Sequence, residues 1–335
     1  MKDIKKVLII RFSSIGDIVL TTPIIRAIKE QRPGVEIHYL TKKDYAPILE
    51  NNPNVDKVYS IRNSLGEVMP ELKTEKYDFI ADLHRNVRSV KVKTQLNTHS
   101  STFDKLNFEK FLLVNLKVDS LPDMHIVDRY FSAVEDIGVQ NDQEGLDYYL
   151  NEEDEIAMSA IPKSFKAKYI AWVIGAKHFT KRFPPHKIVE IIRKINIPVV
   201  LLGDENDTYL AEQIQKEAEG EVISLAGKLT LNQSAIVAKM AFKVATNDTG
   251  LMHIAAALNK PVISFWGNTI PEFGMYPYFG KAMQAETNSR MFQVFGLPCR
   301  PCSKIGFKKC PEGHFQCMRE IDSNEVAEVL MKDLD

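Results

Sequence analysis

The chain has 335 residues, which at roughly 150 residues per domain makes two domains, each able to bury a sizeable core. Hydrophobic residues make up 44% and charged residues 26%, a balance that excludes a disordered chain. The 43 basic and 44 acidic side chains nearly cancel to a net charge of −1, which removes the basic field of a nucleic-acid binder, and four cysteines are too few for a disulfide scaffold. No run of about 18 apolar residues occurs, so no membrane-spanning helix is expected. Arg11 and Asp17 cut the apolar start too short for a secretory signal. The expectation is a soluble, cytoplasmic protein.

In chain order, Lys6–Arg11 reads as a short buried strand, followed by Phe12-Ser13-Ser14-Ile15-Gly16-Asp17 and a helical stretch to about Glu30. Ile24, Ile25 and Ile28 recur there at helical spacing, and Pro33-Gly34 ends the unit. Val35–Leu40, Lys57–Ile61 and Tyr77–Leu83 read as further strands. The rhythm restarts with a strand at Lys168–Gly175, a polar loop, and a helix over about His186–Ile195. Strands are expected again at Pro198–Gly203, Glu221–Leu225, Phe242–Thr246 and Pro261–Trp266. Alternation of strands and helices implies parallel βαβ units and an α/β, doubly wound sheet in each half. The acidic and lysine-rich segment Asn141–Lys168 is the best linker candidate.

Ligands of open α/β sheets bind at the carboxyl ends of strands, which directs attention to three loops. The first, Arg11–Asp17, has small residues and one glycine at a helix start. Asp17 there either complements the helix dipole or serves as a general base. The loop has no G-x-G-x-x-G and no G-x-x-x-x-G-K-[ST], which weakens a dinucleotide or P-loop reading. The second, Gly175–Pro184, concentrates Lys177, Lys181, Arg182 and His178 at a strand–helix junction. This is either a solvated face or a clamp for a diphosphate. In the third, Ala245–Leu258, a turn through Asn247, Asp248, Thr249 and Gly250 leads into a helix carrying His253. Free amides at such a start suit a diphosphate.

Together these elements resemble glycosyltransferase family 9, the bacterial lipopolysaccharide heptosyltransferases. The resemblance rests on Arg11-Phe12-Ser13-Ser14-Ile15-Gly16-Asp17-Ile18-Val19-Leu20-Thr21-Thr22-Pro23, on Asp82–Ser89, on Lys181-Arg182-Phe183-Pro184, and on Asn247–Ala256. The cysteine-bearing tail, Cys299–Cys302 through Cys310 and Cys317, is similar to the end of the second heptosyltransferase type. The order and spacing of these motifs extend from about residue 7 to residue 330.

The resemblance implies a GT-B fold of two Rossmann-like domains facing a cleft. An acceptor-binding domain would occupy 1–160 and a nucleotide-sugar-binding domain 161–335, with the last helix packing back on the first domain. It implies inverting transfer of a sugar, by default heptose from ADP-heptose, to a lipid-linked glycan acceptor of the lipopolysaccharide core. Asp17 matches the general base and Lys181 the lysine that neutralises the leaving diphosphate. Asp248, Thr249, Gly250 and His253 match the donor-binding turn, Gly16 is a further donor-binding candidate, and Glu205 is the candidate for the ribose hydroxyls, in competition with Asp204 and Asp207. Ser13, Arg85 and Arg88 are the acceptor-side candidates. Cations and helix starts can stabilise the leaving group, so neither metal nor cofactor is required.

His84, Arg85, Arg88, Lys91 and Lys93 form a basic stretch that either is simply solvated or faces an anionic acceptor or the inner-membrane surface. Four thiolates with His314 nearby can hold a structural zinc, against free thiols in a reducing compartment. Two other functions remain open at this point. One is a nucleotide-sugar epimerase of the same fold, and the other a non-catalytic sugar-nucleotide or glycan-binding protein.

Overall fold

In the computed structural model, residues 4–166, 168–281 and 289–333 are described. The outer ends of the two predicted domains (1–3 and 334–335), and Ala167 in the predicted linker, lie outside them. The chain divides into two compact units. The first comprises 1–106, 124–149 and 280–282, and the second 107–123, 150–279 and 283–335.

The first unit is built on five parallel strands: β1 (Lys6–Ile10), β2 (Glu36–Lys42), β3 (Lys57–Ile61), β4 (Phe79–Asp82) and β5 (Ser100–Thr102). Their order is β3-β2-β1-β4-β5. The second has six: β6 (Ile170–Val173), β7 (Val199–Leu202), β8 (Val222–Ser224), β9 (Lys243–Asn247), β10 (Val262–Trp266) and β11 (Arg290–Gln293). They are ordered β11-β10-β9-β6-β7-β8. All pairings are parallel, which requires crossovers and buries both faces. Central strands such as β1, β6, β7 and β10 therefore read as apolar runs rather than alternating ones, whereas β9 carries Lys243, Thr246 and Asn247. In both sheets strand order reverses beside the first strand of the unit, between β1 and β4 and between β6 and β9. Those two switch points are where a ligand site is expected.

The edge strands β5 and β11 are absent from the sequence reading. Ser-Ser-Thr and Arg-Met-Phe-Gln carry no apolar run, and only pairing with Ile80–Asp82 and Ile263–Trp266 makes them strands. The single helix expected to reach Glu30 is two, Ile15–Val19 and Thr22–Gln31. The break falls before Pro23, which lacks an amide hydrogen and suits the first turn of a new helix.

The second core shows how the strands are held. Phe265 stacks on Phe183 at 4.1 Å and on Trp172 at 5.8 Å, all three fully buried. Burial of each large ring contributes about 1.5–3 kcal/mol. The last helix, Ser323–Met331, lays Val326, Ala327 and Leu330 into this same core and packs on the helix Pro185–Ile192. Lys243, buried in β9, donates to the carbonyls of Val329 and Lys332 and so fastens that helix end.

The acidic segment 141–168 is not slack. Arg26 pairs with Asp142 at 2.9 Å and Asp147 at 2.5 Å, which ties its start to the helix Thr22–Gln31. Its 3-10 turn Glu152–Ala160 packs on the helix Leu231–Met240 of the second unit.

Candidate active site

In the first unit, β1 delivers Arg11 to the carboxyl edge of the sheet. Arg11 is buried, and each of its three guanidinium nitrogens is engaged. It donates to the carbonyls of Ser13 at 2.8 Å and Leu83 at 2.5 Å, pairs with Asp17 at 2.5 Å, and lies over the Tyr130 ring. Burial opposes its charge, but Asp17, Tyr130 and Tyr39 together raise its pKa. Asp17 is the third residue of the helix Ile15–Val19. Its other carboxylate oxygen accepts from the Ser14 amide at 3.0 Å and the Ser14 hydroxyl at 2.5 Å. Gly16 is buried behind it, and Ser13 is fixed through its carbonyl. The loop is thus a rigid cradle that presents one carboxylate, with Arg11 as its brace. The sequence reading placed Arg11 at the head of this loop and motif but gave it no role of its own.

His84 follows β4 and packs edge-on against Phe12 at 5.3 Å. Burial, then the positive charges of Arg11 and Lys105, push its pKa down to about 4, so at neutral pH it is an uncharged imidazole. Its Nδ1 is buried with no hydrogen-bond partner among the described residues. The basic stretch after it is less available than its charge count suggests. Lys93 pairs at 2.9 Å with the fully buried Asp82, which also takes the Ser89 hydroxyl at 2.7 Å. Arg85 pairs with Asp104 at 2.5 Å. Lys93 is therefore structural, and the exposed cations of this turn are Arg88, Lys91 and the partly engaged Arg85.

In the second unit, β6, β7 and β9 bring together three strand-to-helix loops. Lys181 pairs with Asp248 at 2.5 Å, and the same carboxylate oxygen takes the Thr269 hydroxyl at 2.8 Å. Asn247 locks the two loops in place. Its Oδ1 accepts from the Phe183 amide at 2.9 Å, and its Nδ2 donates to the carbonyls of Ile174 and Gly175 at 3.0 Å each. Thr249 occupies the N-cap of the helix Gly250–Ala257 without bonding to its amides, since its hydroxyl turns to Thr246 at 3.3 Å. The helix start therefore keeps its amide donors and its partial positive charge, next to the Lys181 ammonium. His253 lies buried one turn further in.

Of the three acids after β7, two are committed. Asp204 caps its own turn through the Asn206 amide at 2.8 Å. Asp207 is buried against Gly175 and Gly203, where an added Cβ would meet its carboxylate at 2.0 Å and its own Cβ at 2.7 Å. Arg182 lies 3.3 Å from Asp207, yet burial prevails and raises the carboxyl pKa. Asp204 and Glu205 are both exposed, and Glu205 is the one whose carboxylate does not cap the turn.

Thr269 and Arg300 were given no role by sequence reasoning, and Asp207 was named only as a competitor of Glu205. Arg300 holds the loop after β10 by donating to the carbonyls of Trp266, Gly267, Thr269 and Val294. Its only local signal is its place between Cys299 and Cys302. Cys299 approaches His314 at 3.9 Å, and burial raises the thiols of Cys302 and Cys317 to about 12 and about 11. Among the described residues, the only group of three or more ligand atoms drawn within 4.8 Å of one another is Glu36, His38 and Glu75, not a cysteine set. Lys6 and Lys57 already neutralise Glu75 in that group.

No helix among the described residues is long and apolar enough to cross a membrane. Residues 66–303 match the family model of glycosyltransferase family 9 (heptosyltransferase). The chain is 27% identical over 294 residues to lipooligosaccharide heptosyltransferase 2 of Haemophilus influenzae, covering 80% of this chain and 84% of that one. The structure of E. coli ADP-heptose lps heptosyltransferase II superimposes with a TM-score of 0.71 at 21% identity, covering 97% of both chains. E. coli heptosyltransferase WaaC with ADP superimposes with a TM-score of 0.68 at 20% identity, over 98% of this chain and 99% of that one. The two parallel sheets are the GT-B architecture these enzymes share. With more than half its length matched by the family model, the chain belongs to glycosyltransferase family 9, and it is a glycosyltransferase.

Proposed function

We propose that this chain is an inverting, metal-independent heptosyltransferase that moves heptose from ADP-heptose to a lipid-linked acceptor of the lipopolysaccharide core. The family match over residues 66–303 carries the reading. The loop chemistry supports it. On the first unit Asp17 is the general base, braced by Arg11, and Ser13, Arg85 and Arg88 contact the acceptor. On the second unit Lys181 and the amides starting at Gly250 receive the diphosphate, Asp248 and Thr249 shape that turn with His253 behind it, and Glu205 takes the ribose hydroxyls.

In the reaction, the acceptor oxygen attacks the anomeric carbon from the face opposite the diphosphate. Its proton passes to an Asp17 oxygen, and the bond from the anomeric carbon to the diphosphate oxygen breaks. ADP departs with that electron pair, and Lys181 and the helix start balance the added charge. Formation of the new bond on the opposite face inverts the anomeric centre without a covalent enzyme intermediate. A divalent ion has no task in this sequence. Work on a lipid-linked acceptor places the enzyme at the cytoplasmic face of the inner membrane.

The test is ADP release from ADP-heptose, with and without deep-rough lipopolysaccharide and with chelator present throughout. The expected result is release that depends on acceptor and is indifferent to chelator. Turnover of the donor without acceptor would instead indicate an epimerase or hydrolase. Binding of the donor with no turnover under any condition would indicate a binding protein.

A further inference from the structure

The second unit carries an apolar and basic surface that the transfer reaction does not use. Residues 107–116 form one continuous helical stretch, Asn107–Phe111 followed by Leu112–Leu116. Phe108, Phe111 and Leu116 recur along it at helical spacing, and they point outward, with exposures of 68%, 56% and 61%. Leu113, on the other side, is buried. The stretch is apolar on its inward side as well, through Leu113 and the half-buried Leu112 and Val114, so the outward apolar groups are in excess of those that anchor it, and they continue into the exposed Val118.

Both ends of this stretch are pinned to one loop. Lys304 donates to the Asn107 side chain at 3.3 Å, and Lys117 donates to the carbonyls of Cys299 and Pro301 at 3.1 and 2.8 Å. That loop adds Ile305 and Phe307, also exposed. Charge accompanies the apolar groups. Residues 107–118 hold Lys110 and Lys117 against Glu109, and residues 304–309 hold Lys304, Lys308 and Lys309 with no acid. In a chain of net charge −1 this is a concentrated positive patch. The loop also reaches the site, since the Phe307 amide donates to the Thr180 hydroxyl at 2.8 Å and the Thr180 amide to the Phe307 carbonyl at 3.2 Å, one residue before Lys181.

We propose that the helical stretch 107–118 and the loop 304–309 form a docking surface for an anionic lipid bilayer. The aromatic and aliphatic side chains enter the headgroup boundary, and the lysines contact lipid phosphates. An apolar surface ringed by lysines fits an interface that is apolar in depth and negative at its rim. A second protein copy would bring the same positive charge against itself. The purpose of the surface, holding the site at the level of a lipid-linked acceptor, rests on the function proposed above, but the surface itself does not.

The test uses the full chain and sedimentation with vesicles of phosphatidylcholine alone or mixed with phosphatidylglycerol. Binding is expected only to the mixed vesicles and is expected to fall as salt is raised. Phe108→Ser with Phe111→Ser should weaken it at least tenfold, and Lys308→Glu with Lys309→Glu should weaken it by about fivefold or more for each lysine lost. All four side chains are exposed, so the variants should melt like the wild type. No binding of the wild type to mixed vesicles, or unchanged binding by the phenylalanine variant, overturns the surface. So does a wild-type dimer that the phenylalanine variant turns into a monomer. Stabilisation by ADP-heptose, measured in parallel without vesicles, separates the two proposals. Vesicle binding lost with donor stabilisation intact rejects this surface alone, and the converse rejects the donor reading alone.

Discussion

The two aspartates at strand-to-helix turns are held in opposite ways. Asp17 is bound by Ser14 and Arg11, both within six residues in the chain. Asp248 is bound by Lys181 and Thr269, 67 and 21 residues away. The carboxylate's own contacts in the first turn are local, although its brace Arg11 is in turn held by the distant Leu83 carbonyl and Tyr130 ring. The second exists only when β6, β9 and β10 stand side by side. A locally braced carboxylate can receive a proton without disturbing the rest of its unit. A carboxylate tied across loops positions a lysine, and it registers anything that perturbs the sheet.

The largest expected effect breaks the first turn. Asp17→Asn keeps the shape and removes the base, and acceptor-dependent ADP release should fall roughly a hundred- to ten-thousandfold. Donor stabilisation should be unchanged, because the donor is assigned to the other unit. A variant with wild-type turnover would remove Asp17 from the chemistry.

Next comes the second turn. Lys181→Ala leaves Asp248 with Thr269 but without its cation, and kcat should fall roughly a hundred- to a thousandfold. Here, unlike at Asp17, ADP affinity should fall as well, and calorimetric titration with ADP distinguishes the two cases.

Gly175→Ala tests the packing beneath the second turn without removing a charged group. Its Cβ would meet an Asp207 oxygen at 2.0 Å, so the second unit should lose about 1–3 kcal/mol, read as a lower melting temperature. Combination with Asp207→Ala should recover part of that loss, since the two effects are coupled. Additive effects would show that the glycine is needed for something other than room for Asp207.

The smallest effect sharpens the description of the first turn. His84 has its folded pKa depressed to about 4 from an ordinary 6.5. The unfolded chain therefore takes up a proton that the folded chain refuses. Stability from this group is complete above the ordinary value and is lost as pH falls from 6.5 toward 4. The His84 imidazole resonances should titrate near 4, and His84→Gln should flatten this limb of the stability profile. Titration near 6.5 would show that the ring is more open to water than its packing against Phe12 indicates.

Much of the fold was legible because parallel sheets demand buried strands. Val7–Ile10, Val199–Leu202 and Val262–Trp266 are runs that could hardly be anything else in an alternating pattern. Of the four edge strands, β3 and β8 were legible, but β5 and β11 were not, because their residues are strands only by virtue of a partner. In the site, Asp17, Lys181 and the turn at Asp248–Gly250 stood out by residue type and motif. Arg11, Thr269 and Asp207 did not, for three different reasons. Arg11 stood at the head of the motif with no role of its own, and Thr269 has no local signal. Asp207 looked equivalent to Asp204 and Glu205 until burial separated them.

The sequence by itself determined the α/β rhythm, the two-part organisation, the family and the locally closed Asp17 cradle. Those depend on periodicity and on contacts a few residues apart. The tertiary structure alone decided which charges are free for chemistry. Lys93 went to Asp82, Arg26 to Asp142 and Asp147, and Arg300 to a ring of carbonyls. It also left the apolar stripe of 107–116 facing outward. A charge run in a sequence looks the same whether it is solvated, paired or catalytic. Only the neighbours brought by the fold set the desolvation and the partner, and with them the role.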